Sequence, residues 1–114
     1  MTTAAKDAVL LARVAEGDHE AFTEVMKVHE DRVFSVCLRI MGDREKALDA
    51  TQETFLTAWR KLDTYKGLAP FEHWLTRVCL NCCYASLRRR RAVEIPLEHD
   101  LVSHDADPNA RLNK

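Results

Sequence analysis

The chain has 114 residues, 17 Lys and Arg against 18 Asp and Glu, and a formal net charge of −1. That length suits one domain, and 46% hydrophobic with 31% charged residues makes a core-forming chain rather than a disordered one. Only 3 Gly and 3 Pro argue against a turn-rich all-β fold; no apolar run approaches the ~20 residues of a membrane span, and Met1 to Val14 lacks the apolar core of a secretory signal.

Four helices are predicted in chain order. The first runs from about Ala4 to Ala15 and stops at Gly17. Asp18 is expected to cap the second, whose Phe22, Val25, Met26, Val33, Val36, Cys37 and Ile40 recur at three- and four-residue steps until Gly42. Asp43 should cap the third, from Arg44 to Leu62. Its core face is expected at Leu48, Thr51, Phe55, Ala58, Trp59 and Leu62. After a loop from Asp63 to Ala69, Pro70 should open the fourth helix in its first turn, with Phe71, Leu75, Val78, Cys82 and Ala85 buried and an end near Arg91. The fold class is therefore an all-α compact bundle of about four helices over residues 1–92. Residues 93–114, with Pro96 and Pro108, read as an irregular acidic linker.

The near-neutral charge hides an asymmetry. Residues 1–61 hold 9 basic and 11 acidic side chains, residues 62–92 hold 6 and 2, and residues 93–114 hold 2 and 5. The middle block can attract a polyanion while the whole chain stays near neutral, although a solvated helix end would look the same.

Cys37, Cys79, Cys82 and Cys83 are expected to be small buried core residues. Cys79 and Cys82 form a CxxC near His73, but no second CxxC or HxxxH pair completes a tetrahedral zinc site. No strand precedes the motif as a thioredoxin-like site would require. The histidines His19, His29, His73, His99 and His104 are scattered, and the chain has neither a Gly-rich phosphate loop nor a nucleophile motif. No enzymatic activity, cofactor or metal is expected.

Two helical stripes fall outside the core pattern. On the third helix Asp49, Gln52, Glu53, Leu56 and Arg60 share a face, and a Leu ringed by acids and an amide suits docking against another helix. On the fourth, Arg77, Asn81, Tyr84 and Arg88 align, extended by Arg89, Arg90 and Arg91. Guanidinium groups contact phosphates, a carboxamide can read base edges, and an aromatic can stack on an unpaired base. Tyr65, Lys66 and Gly67 in the preceding loop add an aromatic, a cation and a flexible backbone, a combination suited to single strands. Packing of Tyr84 and Asn81, and a solvated face around Leu56, are the bland alternatives.

Three blocks in this order resemble region 2 of bacterial RNA polymerase sigma factors of the extracytoplasmic-function (ECF) group, over roughly Glu20 to Arg91. They are Ala21-Phe22 with Asp31-Arg32-Val33-Phe34; Ala47 through Trp59; and Phe71 through Val78 with Asn81 and Leu87 through Arg91. The resemblance implies that Leu48, Asp49, Gln52 and Glu53, with Leu56 close by, dock on the coiled coil of the core polymerase β′ subunit. It implies that Tyr65, Lys66, Gly67, Leu68, Ala69, Arg77, Asn81 and the run from Arg88 face the non-template strand of the promoter's minus-ten element, help to melt it and hold a flipped base. It also implies an anti-sigma partner, a cytoplasmic location without membrane insertion, and a second, helix-turn-helix domain beyond this chain, which would then be a first domain or fragment. Family members often carry an acid four residues after the Asn, where this chain has Ala85. Two other readings compete: a generic single-stranded nucleic-acid module, which has no use for the third-helix face, and a redox- or metal-responsive interaction domain using Cys79, Cys82 and Cys83.

Overall fold

The computed structural model describes the backbone of residues 2–94 and the side chains of residues 2–92. Four α-helices account for most of it: α1 Thr3–Ala15, α2 Glu20–Met41, α3 Arg44–Arg60 and α4 Phe71–Glu94, with a single 3₁₀ turn at Leu62–Thr64. No strand occurs among the described residues. The all-α bundle is as expected, and α4 continues past Ala92. The rest of the expected acidic linker, from residue 95, lies outside the described residues.

Helix ends follow local chemistry. The Thr2 hydroxyl accepts from the Ala5 amide at 3.1 Å and starts α1. Two bonds close it: the Gly17 amide donates to Val14, and the Asp18 amide donates back to Arg13. Gly42 ends α2 at φ +72°, a left-handed conformation that costs a side-chain-bearing residue and not glycine. Asp43 accepts from the Lys46 amide at 3.0 Å, as its spacing predicted. Two expected ends differ. α2 begins after His19, which makes no side-chain cap bond, while the Asp18 carboxylate is held by Arg13 at 2.8 Å. Pro70 precedes the first turn of α4, and its carbonyl accepts from the His73 and Trp74 amides.

The core sits where α2, α3 and α4 meet, with Leu10 of α1 closing one side. Phe22, Val25, Val33 and Cys37 of α2 are buried, as are Phe71, Leu75, Val78 and Cys82 of α4; Ala85 is only half-buried. The core face of α3 is the main correction. Ala47, Ala50, Thr54 and Ala58 point inward, whereas Leu48 and Trp59 are 43% and 40% exposed. Small side chains let α3 approach its neighbours closely, and the buried Thr54 hydroxyl is satisfied by donating to the Ala50 carbonyl at 2.7 Å.

Candidate nucleic-acid and partner interfaces

Because α3 buries its small stripe, its larger residues face outward. Leu56 is 60% exposed, Asp49 and Gln52 are exposed, and Glu53 is half-buried. Beside them an apolar cleft of about 540 Å³ runs between α2 and α3. Phe22, Met26, Phe55, Leu56 and Trp59 form its apolar lining, with Gln52 and Glu30 among its polar groups. Trp59 is fixed against the Phe22 ring at 5.0 Å and the His19 edge at 5.2 Å. An apolar floor with acid and amide groups beside it suits a helical partner that brings apolar and basic side chains. The pattern reading found Gln52 and Leu56 but not the cleft, because Phe55 and Trp59 were assigned to the core.

On α4, Arg77 and Tyr84 are exposed while Asn81 and Arg88 of the same stripe are half-buried. Arg89 and Arg91 are exposed, and Arg90 is half-buried. The Arg89 guanidinium reaches Glu53 on α3 at 3.4 Å, so the two candidate faces meet along one edge. Their side chains are 63% and 43% exposed, which limits that pair to roughly 0–1 kcal/mol.

The loop between them is braced from within. The Tyr65 hydroxyl donates to the Ala69 carbonyl, and its ring meets Phe71 edge-on at 5.4 Å and Trp74 at 5.6 Å. Burial, and then the charge of Asp7, push the Tyr65 hydroxyl pKa up. Lys66 donates to the Asp63 carbonyl at 3.2 Å. Gly67 turns the chain at φ +76° and presents Leu68, 94% exposed, at the tip with Ala69 exposed behind it. A cleft of about 620 Å³ lies between this loop and α1, with Asp7, Ala8 and Leu11 on the far wall. A smaller depression of about 240 Å³ lies on the loop's other side, lined by Lys66, Leu68, His73, Trp74 and Arg77.

Two arrangements were invisible in the linear pattern. Asp7 and His29, both buried, meet at 2.7 Å and pin α1 to α2. They lie 22 positions apart on different helices, so spacing could not pair them. The cysteines are all buried, as expected, but the CxxC pair separates. Cys82 Sγ turns to the Thr57 hydroxyl at 3.6 Å, while Cys79 and Cys83 join Cys37 of α2 at 3.5 and 3.7 Å. Burial raises the Cys82 pKa. Hydrogen bonds within the trio lower that of Cys37 and raise those of Cys79 and Cys83.

Residues 25–93 match the family model for sigma-70 region 2. The chain belongs to that family. Curated relatives place it in the ECF group. It is 36% identical over 101 residues to the ECF RNA polymerase sigma factor SigE of Mycolicibacterium smegmatis, covering 83% of this chain and 38% of that protein. It is 31% identical over 109 residues to the RNA polymerase sigma-H factor of Pseudomonas aeruginosa, covering 94% and 54%, and 27% identical over 81 residues to the ECF RNA polymerase sigma factor SigW of Bacillus subtilis, covering 71% and 43%. The chain thus spans about half or less of these relatives' lengths. In this ECF region 2 domain α1 precedes the matched residues, yet it builds one wall of the larger loop cleft. No described helix is long and apolar enough to cross a membrane.

Proposed function

We propose that this domain binds core RNA polymerase through the outer face of α3 and recognises and helps to open the minus-ten promoter element through α4 and the 65–69 loop. The observation that supports this reading is a pair of neighbouring stripes: Leu48, Asp49, Gln52 and Leu56 exposed beside a half-buried Glu53 on one helix, and Arg77, Tyr84, Arg89 and Arg91 exposed beside half-buried Asn81, Arg88 and Arg90 on the other. On α3, Leu48 and Leu56 supply apolar anchors for the β′ coiled coil, and the acid and amide groups set its register. On α4, arginines hold backbone phosphates, and Asn81, half-buried with its carboxamide oxygen turned inward, meets a base edge through its amide donors.

Parting the duplex costs a few kcal/mol. Each base stacked on protein returns ~1–3 kcal/mol. The Tyr65 ring is engaged by Phe71 and Trp74, so its part is to shape the loop. An extruded base then rests against the Lys66 to Ala69 segment and the cleft beside it. Tyr84, 38% exposed, is the aromatic on α4 available for stacking. An anti-sigma protein would act by covering these same faces.

The test is a pair of double variants of the chain. Gln52→Ala with Glu53→Ala should abolish capture by core polymerase and leave binding to a single-stranded minus-ten oligonucleotide intact. Arg77→Ala with Asn81→Ala should retain capture and lose sequence-selective binding in the polymerase complex. If both pairs leave polymerase capture unchanged and weaken binding to any single strand equally, the domain is a generic nucleic-acid module.

A further inference from the structure

The core contains a chemical group that neither interface uses. Cys37 projects from α2, and Cys79 and Cys83 project from successive turns of α4, since residues four apart share a helix face. Their sulfurs lie within 4.8 Å of one another, with two edges of the triangle at 3.5 and 3.7 Å. All three side chains are at most 1% exposed. We propose that Cys37, Cys79 and Cys83 form a three-sulfur site for a trivalent thiophilic ion, for which arsenous acid is the chemical probe.

Geometry sets the coordination number. An ion ~2.3 Å from each sulfur, a typical metal–thiolate distance, needs a triangle of edge ~4.0 Å if it lies in the sulfur plane, and a shorter one if it rides above. With two edges at 3.5 and 3.7 Å and the third within 4.8 Å, the sulfurs stand at the separations a three-coordinate centre needs. Among the described residues no fourth Cys, His, Asp or Glu joins the group, and Cys82, the other half of the CxxC, faces Thr57 instead.

Charge then selects the ion. Zinc on three thiolates leaves one net negative charge and an open position, and a monovalent soft ion leaves two negative charges. Either imbalance is costly in a dry core. A trivalent centre on three thiolates is neutral. The step balances without an oxidant: arsenous acid and three thiols give the tris-thiolate and three waters, three As–O and three S–H bonds being exchanged for three As–S and three O–H bonds. Each thiol proton leaves on a departing hydroxide as water, and arsenic stays trivalent.

Occupation would tie α2 to α4, so the ion should stabilise the folded chain. The experiment uses the full chain, reduced with a phosphine and titrated with sodium arsenite without oxygen. One arsenic per chain is expected in native mass spectra, as an adduct lacking three protons. X-ray absorption should show three sulfurs and no oxygen around arsenic, and the melting temperature should rise. Cys82→Ser should bind as the parent does, while Cys37→Ser should bind at least about tenfold more weakly. A shell of two sulfurs and one oxygen, loss of binding in Cys82→Ser, a falling melting temperature, or no adduct would each overturn the site. The sulfur count needs no variant, so a Cys37→Ser chain that fails to fold does not blunt the test.

Discussion

At the scale of single residues, two polar pairs set how the N-terminal helix sits. Asp7 is buried with His29, and replacing it by Ala strands a buried imidazole at a cost of ~1–3 kcal/mol. Urea denaturation should show the midpoint falling with an unchanged slope. Arg13 and Asp18 work in the open. The Arg13 hydrogen bond, with its charge, holds the Asp18 carboxyl below its ordinary 3.8. A depressed carboxylate contributes stability above its unfolded pKa, and that contribution is lost as pH falls through the lower native value. Arg13→Ala should therefore move the Asp18 titration up towards 3.8, read by NMR, with little change in stability at neutral pH because both groups are exposed. Tyr65 carries a different lesson: an aromatic beside a lysine looks like a stacking platform, and here its ring and hydroxyl brace the loop.

At the scale of elements, α3 is the helix whose orientation decides which of its two stripes reaches solvent. Its inward stripe of Ala47, Ala50, Thr54 and Ala58 permits close helix approach, and this exposes Leu48 and Leu56. Enlarging the stripe should therefore hurt folding more than trimming the outer face. Ala58→Leu is expected to cost ~1–3 kcal/mol through overpacking. Leu48→Ala should stay within ~0.5 kcal/mol of the parent in stability while weakening polymerase capture. Equal losses of thermal stability in the two variants would show that Leu48 is a core residue after all. α4 has the opposite division of labour. Phe71, Leu75, Val78, Cys79, Cys82 and Cys83 fill the core, leaving an outer stripe with Arg77 near one end, Asn81 and Tyr84 in the middle and the arginine run from Arg88 at the other.

At the scale of the whole molecule, two surfaces share one rigid core and meet at Glu53 and Arg89. Under the proposed function, a partner on α3 and a DNA strand on α4 would lie side by side, so polymerase would present the strand that α4 receives. Phosphate contacts from the arginine run would make that proposed strand binding salt-sensitive, with a slope of about −0.7 per neutralised phosphate for single strands. Arg88→Ala should reduce the slope by about one such contact and weaken all sequences alike, measured by anisotropy across a salt series. A sequence-dependent loss would instead assign Arg88 to base reading.

Much of this was legible in the linear chain. Four helices, the stops at Gly17 and Gly42, the Asp43 cap and the alignment of Asp49, Gln52, Glu53 and Leu56 all follow from local conformation and a 3.6-residue repeat, which act within one helix. The ordered blocks around Ala47 to Trp59 and Phe71 to Val78 also pointed to the sigma factor family. Tertiary packing alone decided which of two apolar stripes on α3 faces inward, that Asp7 meets His29, and that Cys37 selects Cys83 over Cys82 as a neighbour of Cys79. Periodicity fixes the angles between side chains on one helix. It carries no information about how closely two helices approach or how each is rotated about its axis, and those two quantities place every contact between them.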